Sequence, residues 1–194
     1  MDYFHTLNHD LYAERVKVAD IAEKFGTPCY VYSAATLKRH YQAFEKAFET
    51  QPHLICYAVK ANSNLSVLQS LAQMGSGFDI VSIGELARVL KAGGKPDKII
   101  FSGVGKQADE IIAALKADIL CFNVESEPEL HLLHFLAKQL NLKTRIALRV
   151  NPNVDPKVHP YISTGLKENK FGIPFERVKG IIQQIKHMPH LEMT

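Results

Sequence analysis

The stretch His53-Leu54-Ile55-Cys56-Tyr57-Ala58-Val59-Lys60-Ala61-Asn62 decides the predicted fold and the candidate site. Residues 54–59 form a short, almost wholly apolar run, which is typical of a strand buried on both faces of a parallel sheet. The run ends in one ammonium group, Lys60, and turn-forming residues that can cap a helix follow it. We therefore expect Lys60 to lie at the carboxyl end of a buried strand.

A lysine in this position has two interpretations. Partial burial lowers the pKa of the amine, and a neutral amine can form a Schiff base with an aldehyde. Alternatively, the side chain extends into solvent as an ordinary surface lysine. From this stretch alone the surface interpretation is favoured, because lysines are rarely fully buried.

The composition excludes several classes of protein. The chain has 194 residues, of which 46% are hydrophobic and 22% charged, as in a globular domain. A net charge of +3 indicates neither a nucleic acid nor a membrane partner. The amino terminus lacks a signal-peptide pattern, and no apolar run approaches the roughly 18 residues of a membrane span. Cys29, Cys56 and Cys121 are predicted to be buried, reduced thiols of a cytoplasmic protein without a metal site.

The chain repeats a unit of one strand followed by one helix. Strands are predicted at residues 54–59, 78–81, 99–101, 119–122 and 145–150, and a further strand at 191–193. Such units coil into an open doubly wound sheet or a closed (β/α)₈ barrel. Five complete units begin at residue 54, and a sixth begins at residue 191. We predict an α/β fold that is the first part of a barrel, since a closed barrel needs eight units.

The region before residue 54 is less regular. Residues 1–16 show no clear period and are predicted to be an extended arm. A helix is predicted at 18–25, a strand at 28–32, and a second helix after the N-cap Ser33.

Polar groups stand at the ends of several predicted strands. Asp79 is a carboxylate inside an apolar strand, where it needs a partner, and Lys60 on the preceding strand is the predicted one. Ser82 and Glu85 form an S-x-x-E capping box, which is a complete structural explanation for both and leaves a functional role open. Arg149 ends a strand as Lys60 does, on the barrel face that carries active sites.

Three further motifs are weaker indications of function. The segment 151–174 is longer than an ordinary loop, which favours a functional role, although His159 within it is by default a surface histidine. Residues 102–106 suggest a phosphate loop but lack its glycine spacing, so a tight turn is predicted. Ser126 and Glu129 form another capping box.

Seven stretches together resemble the fold-type III pyridoxal-phosphate decarboxylases, and among them the diaminopimelate decarboxylases. They follow the family's order over nearly the whole chain, and their sequences are GTPCYVY (26–32), YAVKAN (57–62), GFDIVSIGEL (77–86), NVES (123–126), RVNP (149–152), HPYISTG (159–165) and KFGI (170–173). The resemblance implies a (β/α)₈ TIM barrel of the alanine racemase-like type.

The resemblance also implies a cofactor and a reaction. Lys60 is then the Schiff-base lysine for pyridoxal 5'-phosphate, with Asp79, Ser82, Glu85 and Arg149 in the cofactor pocket. His159 belongs to a substrate-binding or loop region. The implied reaction converts meso-2,6-diaminopimelate, a small amino-acid substrate, into L-lysine and carbon dioxide. The resemblance further implies a homodimer when the protein is full length.

Parts of the family pattern do not occur in this sequence. The His-Ile-Gly-Ser-type motif, the Glu-Pro-Gly-Arg segment and the Cys-Glu-Ser-type segment are absent. By the resemblance, residues 1–34 are an arm and strand belonging to a second, β-rich domain, and residues 35–194 are a partial cofactor-binding barrel. These 194 residues alone are therefore expected to be inactive. Alternatives are an ornithine, arginine or carboxynorspermidine decarboxylase of the same fold, or a non-catalytic protein that binds pyridoxal phosphate.

Overall fold

The computed structural model describes residues 3–152 and 171–194, as a small antiparallel sheet followed by alternating parallel strands and helices. The strands are β1 (Phe4–Leu7), β2 (Asp10–Ala13), β3 (Val16–Lys17), β4 (Cys56–Ala58), β5 (Gly77–Ile80), β6 (Ile99–Phe101), β7 (Cys121–Val124), β8 (Thr144–Leu148), β9 (Val150–Asn151), β10 (Ile173–Pro174) and β11 (Leu191–Met193). The helices are α1 (Val18–Phe25), α2 (Ala34–Phe48), α3 (Leu65–Gln73), α4 (Ile83–Lys91), α5 (Ala108–Ala117), α6 (Glu127–Gln139) and α7 (Phe175–Ile185). Short 3₁₀ helices cover Val59–Ala61 and Pro96–Lys98.

The main sheet contains six parallel strands in the order β4-β5-β6-β7-β8-β11. Strand order in space therefore follows strand order along the chain, and the strands β1–β3 and β9–β10 form two separate sheets. A doubly wound sheet reverses its order at a switch point, whereas a (β/α)₈ barrel does not. The structure thus confirms the predicted α/β class and the incomplete barrel. In the part of the chain that is described, β4 and β11 each pair with one neighbour in this sheet.

The core lies between this sheet and its helices. Phe78, Phe101 and Phe122 come from three adjacent strands and are fully buried, and the rings of Phe101 and Phe122 stack with centroids 5.9 Å apart. Leu68 and Leu133 close the core from the helical side and are also fully buried. Each such side chain contributes about 1.5–3 kcal/mol of hydrophobic stabilisation, which makes the sheet a firm support for the loops at its carboxyl edge.

Helix positions agree with the hydrophobic periodicity of the sequence, and polar caps explain where several helices begin. Ser33 accepts a hydrogen bond from the Thr36 amide, and Asn64 accepts one from the Ser66 amide. Both predicted S-x-x-E motifs cap helices, since Ser82 and Ser126 accept bonds from amides three residues later. Such a cap stabilises a helix by about 1 kcal/mol.

The predicted extended arm over residues 1–16 is wrong. Residues 4–17 form an antiparallel meander, β1-β2-β3, with Phe4 opposite Ala13. Its first turn uses Asn8 and His9 at positive φ, 50° and 65°, which suits the twist of a tight hairpin. Residues with side chains rarely adopt this backbone conformation, and no glycine marks the turn in the sequence.

The strand predicted at 28–32 does not form, because no other strand of the described chain pairs with it. Tyr30 is 92% exposed there, and Cys29 is exposed as well, contrary to the prediction that all three thiols are buried. Cys121 is buried as predicted, and Cys56 is half-buried. A strand-like composition is therefore not sufficient for a strand, which also needs a neighbouring strand to form its backbone hydrogen bonds.

None of the described helices combines the length and the apolar character that a membrane crossing requires. Residues 3–152 and 171–194 contain no group of three or more His, Cys, Asp or Glu side chains arranged to hold a metal ion.

Candidate active site

Polar residues follow five consecutive strands of the main sheet, just beyond the carboxyl end of each. They are Lys60 after β4, Ser82 after β5, Ser102 after β6, Glu125 after β7 and Arg149 after β8. Because all five strands are parallel and in sequential order, these residues lie along one edge of the sheet. That edge is where barrel proteins build their active sites.

Lys60 lies in the 3₁₀ helix that follows β4, as the sequence predicts for a lysine at a strand end. The preceding Val59 is fully buried, whereas Lys60 is exposed. The backbone around it is fixed, since the Asn62 amide donates to the Val59 carbonyl at 3.1 Å and the Tyr57 hydroxyl donates to the Asn62 carbonyl at 3.3 Å. Among the described residues, no hydrogen bond or ion pair engages the Lys60 ammonium. The backbone at Lys60 is therefore held in position, while its amine is free of hydrogen bonds and ion pairs to the described residues.

The predicted pairing of Asp79 with Lys60 is not found. Strand register places Asp79 opposite Ala58, two residues before Lys60. Instead, the Ser102 hydroxyl donates to Asp79 Oδ1 at 2.5 Å, and the Asn123 amide donates to Ser102 Oγ at 3.0 Å. This chain of hydrogen bonds across β5, β6 and β7 orients the carboxylate and leaves Asp79 Oδ2 without a donor among the residues described.

Ser82 and Glu85 are accounted for by helix capping. Ser82 Oγ accepts from the Glu85 amide at 3.2 Å, and Glu85 Oε2 accepts from the Val81 amide at 2.8 Å. Glu110 of α5 adds a cap from outside, since its Oε1 accepts from the Ile83 amide at 2.9 Å. These bonds fix the turn between β5 and α4 next to Asp79, while a direct role of Ser82 and Glu85 in ligand binding stays a prediction.

Arg149 forms an ion pair with Glu125, a residue that the sequence did not indicate as part of the site. Arg149 Nη1 lies 3.0 Å from both carboxylate oxygens of Glu125, and the Gly103 amide donates to Glu125 Oε1 at 2.8 Å. The Arg149 guanidinium also lies 5.3 Å from the ring centroid of Phe171, within cation–π range. Three strand ends are thereby joined through one buried carboxylate.

A second ion pair lies beneath the loop after β6 and was also missed. Lys106 Nζ donates to Glu129 Oε1 at 2.7 Å and to the carbonyls of Gly103 and Asn123 at 2.8 Å each. Burial raises the pKa of Glu129, and the positive charge of Lys106 opposes that rise. Residues 102–106 are the tight turn that the sequence predicts, but its lysine is internal rather than directed at a ligand.

A cavity of about 420 Å³ opens beside Glu125, between the start of α6 and α7. Ser126, Asn151, Ile173 and Arg177 are among its walls, whereas Lys60 and Asp79 are not. It lies next to Arg149 along the sheet edge rather than around the uncommitted amine. We therefore assign the candidate site to the strand ends near Lys60 and not to this cavity.

The structure brings the predicted residues together only in part. Arg149, Asp79, Ser82 and Glu85 all occupy the same sheet edge as Lys60, but among the described residues no hydrogen bond or ion pair joins any of them to its side chain. His159 lies outside the described residues. Glu125 and Ser102 were missed because neither lies within an apolar run, where a polar residue would have stood out. The signal that could have identified them is their position, since Ser102 directly follows β6 and Glu125 directly follows β7.

The chemistry available at this edge is that of a carbonyl-binding amine beside fixed charges. Lys60 supplies an exposed amine on a rigid turn, and Asp79 supplies an oriented carboxylate oxygen that can accept from a cationic nitrogen. Arg149 supplies a guanidinium that is 43% exposed. These groups suit an aldehyde cofactor with a basic ring nitrogen.

Comparison with known proteins gives consistent matches. A family described as "Pyridoxal-dependent decarboxylase, pyridoxal binding domain" matches residues 34–194. A diaminopimelate decarboxylase of Vibrio cholerae is 58% identical over 194 residues, which are 100% of this chain and 46% of that protein. The structure of Helicobacter pylori diaminopimelate decarboxylase with L-lysine superimposes with a TM-score of 0.88 at 48% identity, over 91% of this chain and 45% of that one. The M. jannaschii enzyme with L-lysine gives 0.91 at 37% identity, over 98% and 46%. This chain thus spans about half the length of the relatives it matches.

Proposed function

Because this chain belongs to the pyridoxal-dependent decarboxylases, as their pyridoxal-binding domain, we propose that the whole protein converts meso-2,6-diaminopimelate into L-lysine and carbon dioxide. Pyridoxal 5'-phosphate is the cofactor in this proposal. The substrate follows from the 58% identity to a protein named diaminopimelate decarboxylase and from the L-lysine bound in two similar structures.

The observation that carries the proposal is the uncommitted amine of Lys60 at the carboxyl edge of the sheet. A lysine that anchors an aldehyde cofactor must present a nitrogen free of ion pairs, on a backbone that does not move. Val59 is fully buried and the following turn is hydrogen-bonded, so Lys60 meets both requirements.

The neighbouring residues are assigned roles that their chemistry permits. When bound, pyridoxal phosphate supplies an electron sink for the electrons left behind as carbon dioxide departs. Asp79, oriented by Ser102, keeps a negative charge near the mouth and stabilises positive charge on a neighbouring nitrogen. Arg149 cannot release its proton readily, so it acts only as a hydrogen-bond donor and a fixed positive charge. Ser82 and Glu85 hold the turn that borders the cofactor, and His159 is assigned to the substrate side.

Residues 1–34 contribute to a second, β-rich domain, and residues 35–194 form the cofactor-binding barrel. The family match beginning at residue 34 supports that boundary, as do the exposed aromatic rings of Phe25 and Tyr30, 70% and 92% exposed, which suit a covering partner surface. The whole protein acts as a homodimer, and it works in the cytoplasm.

The covalent anchor is tested on the whole protein with pyridoxal phosphate. Borohydride reduction followed by peptide mapping is expected to place the reduced adduct on Lys60. The Lys60→Arg variant keeps the positive charge but is expected to give no adduct and no carbon dioxide release, whereas Lys91→Arg on the exposed side of α4 should behave as wild type. An adduct mapped to another lysine would overturn the assignment.

Substrate specificity is tested separately by carbon dioxide release from meso-diaminopimelate, ornithine, arginine and carboxynorspermidine. Preference for diaminopimelate is expected. Preference for another diamino acid would favour the corresponding decarboxylase of the same fold. An adduct at Lys60 without release from any of the four would indicate a non-catalytic pyridoxal-phosphate-binding protein.

A further inference from the structure

We propose that Lys106 is a positioning residue for this site, which fixes the loop after β6 (residues 102–106) so that Ser102 and Gly103 hold the carboxylates of Asp79 and Glu125. Its own ammonium lies inside the protein, because the Lys106 side chain is only 1% exposed. The consequence for the cofactor rests on the proposed function, whereas the consequence for the loop does not.

The ammonium of Lys106 is fully used within the protein. It has three hydrogens and three acceptors, which are the Gly103 carbonyl, the Asn123 carbonyl and Glu129 Oε1, at 2.8, 2.8 and 2.7 Å. Its charge also lies 5.6 Å from the ring centroid of Phe101. The partner Glu129 is nearly buried as well, with 8% of its side chain exposed.

Each acceptor belongs to a residue that also contacts the site. Gly103 donates its amide to Glu125, and Asn123 donates its side-chain amide to Ser102. Glu129 uses its second oxygen, Oε2, to accept from the Glu125 amide at 3.1 Å. Lys106 therefore sets the distances between β6, β7 and α6 at the points where the two site carboxylates are held.

Stability alone is a weak explanation for this arrangement. Burying an ion pair costs desolvation energy, and apolar side chains of similar volume often serve stability equally well. What apolar side chains cannot supply is three directed bonds that turn the Gly103 carbonyl inward and its amide toward Glu125. Gly103 adopts a φ of +105°, a conformation that glycine tolerates and that this reversal requires.

The test uses the whole protein and the variant Lys106→Met/Glu129→Gln, which removes both buried charges. The Glu129→Gln replacement keeps a side-chain oxygen that can still accept from the Glu125 amide, so the change is centred on the three Lys106 bonds. If this variant does not fold, Lys106→Met/Glu129→Met is measured in its place. The matched control is Lys98→Met, because Lys98 also donates to a loop carbonyl, that of Gly75 at 2.8 Å, at the opposite end of β5 and β6.

The first readout is hydrogen exchange in the cofactor-free protein. The exchange rate of the Gly103 amide is expected to rise at least about tenfold in the Lys106 variant and to stay at the wild-type value in Lys98→Met. The second readout is the pH titration of the visible absorbance of the cofactor-bound protein. A less firmly held Asp79 carboxylate favours a protonated nitrogen less, so the midpoint should fall by at least about half a pH unit.

A third measurement shows whether Lys106 acts through Ser102. In a Ser102→Ala background, replacing Lys106 and Glu129 should cause no further change in the absorbance midpoint, because the bond to Asp79 is already lost. Additive changes would overturn the proposal, and so would wild-type exchange at Gly103. If wild-type protein formed no adduct at Lys60, the proposed function would fail while the exchange result still decided the role of Lys106 in the loop.

Discussion

Glu125 and Arg149 form an ion pair in which the two partners differ greatly in exposure. The side chain of Glu125 is 1% exposed, that of Arg149 is 43% exposed, and Arg149 Nη1 lies 3.0 Å from both carboxylate oxygens. The buried partner depends on the pair for its charge compensation, whereas solvent can compensate the exposed one. Removing one partner is therefore not equivalent to removing the other.

Arg149→Met is expected to destabilise the protein more than Glu125→Gln. Without Arg149, the buried carboxylate keeps only the Gly103 amide, and an uncompensated buried charge costs about 3 kcal/mol. Glu125→Gln leaves a guanidinium that water can solvate, at a cost of about 1 kcal/mol. Urea unfolding of the whole protein measures both losses, and equal losses would show that exposure does not govern this pair.

Gly172 is a position at which a single methyl group should be costly. Its φ is +84°, and an added Cβ would lie 2.8 Å from the Arg149 carbonyl oxygen, which accepts the Ile173 amide at 2.7 Å. Gly172→Ala is expected to cost about 2 kcal/mol through backbone strain and crowding.

The control for that substitution is Gly180→Ala in α7, where the added Cβ would meet no atom within 4 Å beyond its chain neighbours and the backbone of its own helix. A helical alanine should raise stability there by about 0.5–1 kcal/mol. Thermal melting of the two variants should therefore move in opposite directions. A decrease of similar size in both would contradict the crowding argument.

His134 should make stability depend on pH. Burial lowers the pKa of this imidazole from its ordinary value of 6.5, and the nearby His190, Lys138 and His131 also disfavour its protonation. Its ring lies 5.9 Å from that of His190, and its buried Nδ1 lacks a hydrogen bond among the residues described.

The sign follows from the lowered pKa of His134. Its contribution is fully present above pH 6.5 and is lost as pH falls through the folded-state pKa, because the unfolded chain binds the proton first. Between pH 7.5 and pH 5.5, wild type should lose more melting temperature than His134→Leu. Replacing the exposed His40 by Gln should leave the wild-type pH dependence in place, and an equal loss in His134→Leu would contradict the prediction.

The parts of the fold that could be predicted are the helices and strands whose residue pattern can be recognised within a single segment of the sequence. Apolar periodicity placed β6 at its observed bounds, because Ile99 and Phe101 are fully buried in the core. It also placed α1 over the observed residues, although no residue of that helix is buried. Residues 28–32 failed as a strand because pairing depends on a partner that the segment itself does not encode. The hairpin turn at Asn8 and His9 was not predicted, because both residues adopt positive φ without the glycine that usually marks such a turn in a sequence.

The candidate site shows the same division. Lys60 and Arg149 could be placed at strand ends because the strands before them are apolar. The partner of Asp79 could not be predicted, because the register between neighbouring strands determines which side chains meet. In the structure Asp79 lies opposite Ala58 and bonds to Ser102 instead of Lys60. The Lys106–Glu129 pair joins residues 23 apart, and Glu129 already had a complete local explanation as a helix cap.

The charged groups around the sheet edge have partners other than Lys60. Asp79 is held by Ser102, Glu125 by Arg149 and Gly103, and Glu129 by Lys106, so the lysine contributes no bond to this framework. Stability and chemistry are thus separable at position 60: a change there alters what the protein can do while its architecture is spared. The same framework could therefore carry a different reactive group at position 60 without first being rebuilt.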